Sequence, residues 1–214
     1  IDSKNRYLWT DAFAVQCCFA LAHILESEVY FGYALKLIDQ VHSVLGRHRP
    51  DDERSGWISG LSENEGKLHP TSGGLRIGKK LPEKPPDEPF NQQLEWDRDG
   101  QYFHYLTRWF NALLQALAET KEKTYGLWAA ELLEAGSKFV DENGGFYKMF
   151  WKMNIDLSEP VVKTMGAHDP LEGLVCTLSA MENIPETRPG LQPLKKQMKT
   201  LCRGMDWFST DALG

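Results

Sequence analysis

Residues 95–110 read E-W-D-R-D-G-Q-Y-F-H-Y-L-T-R-W-F, and this stretch joins an acidic turn to the start of an aromatic helix. Asp99 and Gly100 predict the helix start, because an aspartate accepts hydrogen bonds from the first free N–H groups and suits the positive end of the helix dipole. His104 then lies about one turn into the helix, close to the loop. This pattern is typical of a pocket for a polar ligand such as a sugar, and an ordinary capped helix shares it.

Outward from this stretch, the hydrophobic pattern predicts six helices of two alternating types. Segments 12–26, 102–118 and 171–181 are apolar on almost every side, which predicts burial on most faces. Segments 29–45, 125–140 and 191–205 carry one apolar stripe each and follow as amphipathic partners, and Gly46 is placed to end the first of these. The pattern predicts three helical hairpins in a layered α/α arrangement.

A short repeat links the end of the sequence to its beginning. Residues 210–213, T-D-A-L, echo residues 10–13, T-D-A-F, which enter the first helix of the apolar type. The echo predicts a fourth such helix, so that three hairpins form the first half of a closed ring of six. We therefore expect residues 1–214 to be one domain and a fragment, completed by more of the same chain or by another chain.

The connection between the second and third predicted helices is long and irregular. It covers residues 46–99, roughly 50 residues, far more than a typical loop between two helices. Such a connector is usually a lid or wall over a site, and we expect it to pack on the acidic turn. Residues 143–160, which contain Phe146, Tyr147, Phe150, Trp151 and Met153, can line the same mouth from the next hairpin.

Composition and charge exclude several classes of partner. The formal charge of −6 and the absence of long basic runs argue against nucleic acid. The longest apolar run, residues 12–24, is shorter than the ~20 residues that span a bilayer, so no membrane partner is expected. Cys17, Cys18, Cys176 and Cys202 show no metal-ligand or bridging pattern, which predicts buried free thiols in a cytoplasmic protein.

Two histidines are candidates for acid/base chemistry, because the imidazole proton moves most easily near neutral pH. His104 follows the acidic turn. His168 precedes a helix start in M-G-A-H-D-P-L-E-G-L, where Glu172 lies four residues on and can fix the tautomer of the histidine. A purely structural interpretation remains open for His104, as a helix histidine that forms hydrogen bonds with its neighbours.

Carboxylates and aromatic residues supply further candidates. Glu95, Asp97 and Asp99 can provide the carboxylate pair of a glycoside hydrolase, although helix capping accounts for at least one of them. Arg6 and Trp9 can grip sugar hydroxyls and stack on a sugar ring. Alternatively, Trp9 merely fills the helical bundle.

Other reaction classes find no support in the sequence. Ser72 in T-S-G-G does not form the G-x-S-x-G nucleophile elbow, and the nearby glycines lack the lysine spacing of a phosphate loop. The histidines lack zinc-ligand spacing with a third group, and His42 and His48 are expected at the surface. We therefore expect no metal and no cofactor.

Three motifs occur in order along the chain: R-Y-L-W-T at 6–10, F-H-Y-L at 103–106, and G-A-H at 166–168 followed by Glu172. They resemble the R-x-L-W-T entry, the M-H-L-x-E-A segment and the G-H-x-x-E element of the N-acylglucosamine 2-epimerase and cellobiose 2-epimerase superfamily. Two departures stand out. The glutamate follows the histidine by four residues instead of three, and D-G-Q at 99–101 replaces the usual Asn-Pro.

The resemblance implies an (α/α)6 toroid, of which this chain would form about half. It also implies that Arg6, Trp9 and His104 contact the sugar and that His168 is one of two histidines that move a proton beside the carbonyl. The second histidine belongs to the last hairpin of the family's fold, which these residues do not include. Uncharacterised members of the wider six-hairpin glycosidase-like group share this architecture.

Together these observations predict an all-α fold and a sugar epimerase or isomerase, with a small-molecule sugar or glycoside as partner. The alternatives are a glycoside hydrolase or lyase that uses the loop carboxylates, and a non-catalytic toroid that serves as an interaction subunit. The predicted catalytic residues are His168, His104, Glu172, Asp97 and Asp99. The predicted substrate-binding residues are Arg6, Trp9, Asp11, Trp96, Tyr102 and Arg76.

Overall fold

The computed structural model describes residues 5–85, 87–143 and 146–205, and most of them lie in helices. Six long helices form three hairpins, as the hydrophobic pattern predicts. They are α1 (Leu8–Ile24) with α2 (Glu28–Leu45), α5 (Phe103–Thr120) with α6 (Lys123–Gly136), and α7 (Asp169–Asn183) with α8 (Arg188–Arg203). The T-D-A-L repeat at 210–213 falls outside the described residues.

The three hairpins stand side by side, with α5 in the middle. Helix α5 packs against α1 on one side and α7 on the other, and α2, α6 and α8 each back the first helix of their own hairpin. The buried face of α5 carries Phe103, Trp109 and Phe110, all at most 1% exposed. These large side chains remove the most apolar surface from water, so α5 is the centre of the hydrophobic core.

Helix α1 is less buried than its composition predicts. Leu8, Val15 and Phe19 are buried, whereas Phe13 is 42% exposed and Ile24 is 74% exposed. Helix α7 likewise exposes Leu171, Val175 and Leu178. The prediction of burial on most faces is therefore wrong for these two helices, which lie on the two sides of α5.

Gly46 ends α2, but it does not adopt the left-handed conformation of the C-terminal cap that its position in the sequence predicts. Its φ of −77° is one that any residue adopts, so no left-handed cap is present. A Cβ atom at this position would lie 2.7 Å from the carbonyl oxygens of His42 and Pro70. The glycine is therefore required by the close approach of the backbone.

Short antiparallel strands correct the all-α prediction. Strands β1 (Gln101–Tyr102), β4 (Lys152–Met153) and β5 (Pro160–Val162) form one sheet in the order β1-β4-β5, and β2 (Val140–Asn143) pairs with β3 (Phe146–Met149). Because β1 takes residues 101–102, α5 begins at Phe103, after the start that the Asp99–Gly100 pattern predicts. The pairing of β1 with β4 places Trp151 beside the start of α5.

The connection 46–99 forms a wall, as expected, and it contains two short helices. These are α3 (Glu63–Leu68), which begins with a capping box between Ser62 and Glu65, and α4 (Gln92–Asp97), which Asn91 caps. The backbone of Leu81 donates to Asp97 and accepts from the N–H of Asp99, which pins the wall to the acidic turn.

Several side chains depart from the burial that the sequence suggests. Only Cys176 of the four cysteines is buried, and Cys17 is exposed. His42, expected at the surface, is 3% exposed, and its Nε2 accepts a 3.0 Å hydrogen bond from Trp109 Nε1. Burial lowers the pKa of His42 to about 3, so this ring stays neutral. Within the described part of the chain, no helix is long and apolar enough to cross a membrane.

Candidate functional site

The N-terminal ends of α1, α5 and α7 meet at one place. The Trp9 ring, at the start of α1, lies edge-on to the His104 ring at 5.7 Å between centroids. His104 Nδ1, in the first turn of α5, lies 3.9 Å from Asp169 Oδ1 at the start of α7. The side-by-side packing of the hairpins thus brings residues that are far apart in sequence to a common point.

Aromatic rings and one lysine surround this point, and we call the arrangement the aromatic cup. The His104 ring lies nearly parallel to those of Tyr102 and Trp151, with interplanar angles of 23° and 7°. These two rings also stack on each other, 5.0 Å apart between centroids. Trp151 contacts Trp96 at 5.7 Å between centroids. The members of the cup are Tyr7, Lys79, Trp96, Tyr102, His104, Tyr105 and Trp151.

The other half of the cup closes through Tyr7 and Lys79. The Tyr7 and Tyr105 hydroxyls share a 2.5 Å hydrogen bond, and the Tyr105 ring lies edge-on to His104 at 4.8 Å. Lys79 Nζ lies 5.6 Å from the centroid of Tyr7 and 5.2 Å from that of Trp96, so it spans the gap between these two rings. Flat apolar faces beside polar edges are the surfaces on which sugar rings stack.

His104 and Asp169 form the titratable pair of the site. Burial, helped by the neighbouring Arg108 cation, lowers the pKa of His104 to about 4. Burial and the nearby Glu172 carboxylate raise the pKa of Asp169 to about 7. Asp169 Oδ2 is buried without a hydrogen-bond partner. Between these two pKa values the His104 ring is neutral and Asp169 keeps its proton.

Glu172 has different partners from the one the sequence suggests. Its carboxylate accepts a 2.8 Å hydrogen bond from Thr107 and forms an ion pair with Arg108, whose guanidinium lies 5.6 Å from the Trp9 ring. His168 is exposed at the position before α7, where its carbonyl accepts the Glu172 N–H at 3.0 Å. The prediction that the Glu172 carboxylate fixes the His168 tautomer is therefore corrected: that carboxylate orients Arg108.

Arg6 and Asp11 support the start of α1. Asp11 Oδ2 accepts the Tyr7 N–H at 3.1 Å and lies 3.6 Å from Arg6 Nε. Asp11 is 8% exposed, and burial raises its pKa in spite of the Arg6 charge. Both residues thus hold Tyr7 of the cup in place.

The acidic turn is a network of buried charges. Asp99 is 1% exposed, and its carboxylate accepts from Arg76 Nη1 at 2.5 Å and from the Gly78 N–H at 2.9 Å. Arg76 is 4% exposed and also donates to two backbone carbonyls. These contacts assign Asp99 and Arg76 structural roles in place of the catalytic and binding roles that the sequence suggests.

Glu95 is buried as well, and its partner is Lys152. Lys152 is fully buried and donates to the Glu95 carboxylate at 2.6 Å and to the backbone oxygens of Glu95 and Arg98 at 2.8 Å. Its ammonium lies 5.5 Å from the Tyr102 ring, so the pair underlies the cup. Asp97 is exposed on the last turn of α4 and joins neither charge network.

The two remaining predicted binding residues lie at different depths. Trp96 is 58% exposed and stands on the rim of the cup, whereas Tyr102 is 3% exposed and forms its inner wall. Residues that the sequence did not single out complete the site, among them Lys79, Tyr105, Arg108 and Asp169. In the sequence Asp169 precedes a proline, a pattern typical of a helix start. Its position beside His104 follows only from the contact between α5 and α7.

Comparisons with known proteins add no further assignment. No known family, curated protein or solved structure matches this chain at a significant level. Within residues 5–85, 87–143 and 146–205, no cluster of three or more histidine, cysteine, aspartate or glutamate side chains has the geometry of a metal site. A separate cavity of about 180 Å³ lies between α6 and α8, away from the cup.

Proposed function

We propose that the aromatic cup binds a sugar and that the protein is a sugar epimerase or isomerase. The observation that carries this proposal is the position of His104, whose ring lies nearly parallel to those of Tyr102 and Trp151 and whose Nδ1 lies 3.9 Å from Asp169 Oδ1. Flat rings bind the apolar face of a pyranose, and the cluster supplies a proton acceptor at the same place. The resemblance of the motifs at 6–10, 103–106 and 166–172 to the epimerase superfamily agrees with this assignment.

In the proposed reaction His104 takes the proton from the carbon beside the sugar carbonyl. The electron pair of the broken C–H bond forms the double bond of an enediolate, whose negative charge lies on the former carbonyl oxygen. The return of a proton to the other face of the carbon restores the carbonyl and gives the epimer. The low pKa of His104 keeps its ring neutral at pH 7, so a nitrogen is free to accept the proton. Asp169 is a positioning residue, because its 4% exposure keeps it behind the ring.

His168 is the second proton carrier of this proposal. It lies next to Asp169 in sequence and is exposed, at the position before the start of α7. Neutral imidazole exchanges protons readily near pH 7. The motif G-A-H at 166–168 supports the assignment through the resemblance alone.

Exchange of solvent deuterium into a sugar tests the reaction. We expect aldoses incubated with the protein in D2O to gain deuterium at C2, measured by proton NMR. His104→Gln should abolish the exchange and leave the far-UV circular dichroism unchanged. Exchange that persists undiminished in His104→Gln would refute the role of His104.

Glycoside cleavage is the second candidate, and the high pKa of Asp169 favours it. A carboxyl group that keeps its proton near pH 7 is the usual general acid of a glycoside hydrolase, and Glu172 lies one helical turn further on. Release of reducing ends from a glycoside, lost in Asp169→Asn, would select this reaction over epimerisation.

We also propose that α1, α5 and α7 belong to the inner layer of an α/α toroid. The two helices beside α5 expose apolar side chains, including Ile24 and Val175, which further helical hairpins would cover. Those hairpins would come from the same polypeptide or from another chain. Sedimentation velocity of the 214-residue chain separates the sources: a concentration-dependent dimer indicates a second copy, and a stable monomer argues against it.

A further inference from the structure

The charges around the aromatic cup pair with one another, with one exception. Arg6 pairs with Asp11, Arg108 with Glu172, and Lys152 with Glu95. Among the described residues, no carboxylate lies within ion-pair distance of the Lys79 ammonium, which contacts only the rings of Tyr7 and Trp96. Lys79 is therefore the cation of the cup whose charge is left for a ligand.

The backbone holds Lys79 firmly in this position. Its N–H donates to the buried Asp99 carboxylate at 3.3 Å, and its carbonyl accepts from Arg49 Nη1 at 2.7 Å. Arg49 also lies 3.3 Å from Asp99, so the same buried charge anchors both sides of the peptide. A side chain presented by a rigid backbone loses less entropy when it binds a ligand.

The surroundings of the ammonium favour an anion. Lys79 is partly buried, and the described residues offer its three N–H donors no hydrogen-bond acceptor. Aromatic faces attract the cation but leave its hydrogen bonds to solvent or to a ligand. A carboxylate or phosphate group has acceptor oxygens that suit these donors.

We infer that the cup selects an anionic sugar, whose carboxylate or phosphate binds Lys79 while its ring stacks on the neighbouring aromatic side chains. This inference rests on the proposed carbohydrate site and names its substrate class. Because Lys79 lies between Tyr7 and Trp96, the anionic group of the sugar points toward the wall formed by residues 46–99.

Calorimetric titration of the full chain tests the inference with matched sugars. The probes are glucose, mannose and galactose, their uronic acids and their 6-phosphates. A charge-assisted hydrogen bond makes binding about ten- to a hundredfold tighter, so we expect that preference for one of the anionic series over the neutral sugars. The same preference should weaken in high salt, because the ammonium is only partly buried.

Two substitutions make the test specific to one side chain. Lys79→Gln should reduce the preference for the anionic sugars over the neutral ones to about twofold or less. Lys80→Gln, at the exposed next residue, should retain the full preference. Whether the uronic acids or the 6-phosphates bind more tightly identifies the anionic group as a carboxylate or a phosphate.

The possible failures are distinct. Equal affinity for neutral and anionic sugars would overturn the inference and leave the carbohydrate site standing. Binding of none of the nine sugars would overturn both. An equal loss of all affinities in Lys79→Gln, or the same effect in Lys80→Gln, would show that Lys79 does not recognise the anion.

Discussion

The burial of Asp169 predicts a specific dependence of stability on pH. Its pKa is about 7 in the folded protein, against an ordinary value of 3.8. Between these values the folded state holds a proton that the unfolded state has lost, so stability falls as pH rises from about 4 to 7. One pKa unit corresponds to about 1.4 kcal/mol, and a shift of roughly three units therefore corresponds to about 4 kcal/mol.

The substitution Asp169→Asn isolates this contribution. We expect urea unfolding of the wild-type chain at pH 4, 5, 6, 7 and 8 to show a loss of stability that the variant lacks. The difference between the two free energies of unfolding should change by about 4 kcal/mol over that range. Subtracting the free energy of unfolding of the variant from that of the wild type cancels the contributions of other groups that titrate in this pH range, including Asp11 and His104.

A second variant separates the contact with His104 from burial alone. In His104→Gln the carboxyl of Asp169 stays buried, so most of its dependence on pH should remain. Stability curves of the wild type and Asp169→Asn that run parallel from pH 4 to 8 would refute the reasoning. They would mean that Asp169 ionises in the folded protein as readily as in the unfolded chain.

Three further substitutions test the charge networks and the rim of the cup. Lys152→Met should cost about 3–5 kcal/mol in urea unfolding because it leaves Glu95 buried without its cation, and the double variant with Glu95→Gln should recover much of this loss. A double variant no more stable than the single one would contradict this. Asp99→Asn should lower the free energy of unfolding by about 2–4 kcal/mol, because it weakens a buried charge network. Asp97→Asn, at an exposed residue, should change it by less than about 0.5 kcal/mol. Similar effects of the two substitutions would refute the role of the buried network. Trp96→Ala should weaken sugar binding about tenfold in calorimetry. The midpoint of thermal unfolding should change little, since the Trp96 ring is 58% exposed. Unchanged affinity would show that Trp96 is not part of the site.

The acidic turn explains how one stretch can serve both the fold and the site. Asp99 forms ion pairs with Arg76 and Arg49 and accepts hydrogen bonds from the N–H groups of Gly78 and Lys79. Glu95 forms an ion pair with Lys152 beneath Tyr102. The carboxylates of Asp99 and Glu95 are engaged in these ion pairs, so they are not available to catalyse hydrolysis. In the proposed function the turn places the walls of the cup, and the chemistry is assigned to the side chains that follow the turn.

Sequence reasoning located the main elements and part of the site. The alternation of apolar and amphipathic segments is a local property of a helix, so the three hairpins were predictable from spacing alone. His104, Trp96 and Tyr102 were predicted as site residues because a histidine and aromatic residues in and after an acidic turn form a recognisable local pattern. Trp9 was predicted with Arg6 from the segment R-Y-L-W-T at 6–10. The strands were missed because two or three residues of pairing leave no periodic signal.

What the sequence alone determined about this protein is therefore its helical pattern and the chemical type of its site residues. Only the tertiary structure decided the partners: Asp169 for His104, Arg108 for Glu172, and Arg76 for Asp99. The physical reason is that burial and ion pairing depend on neighbours from other segments, and a carboxylate in a sequence looks the same whether it will face a ligand or a buried arginine.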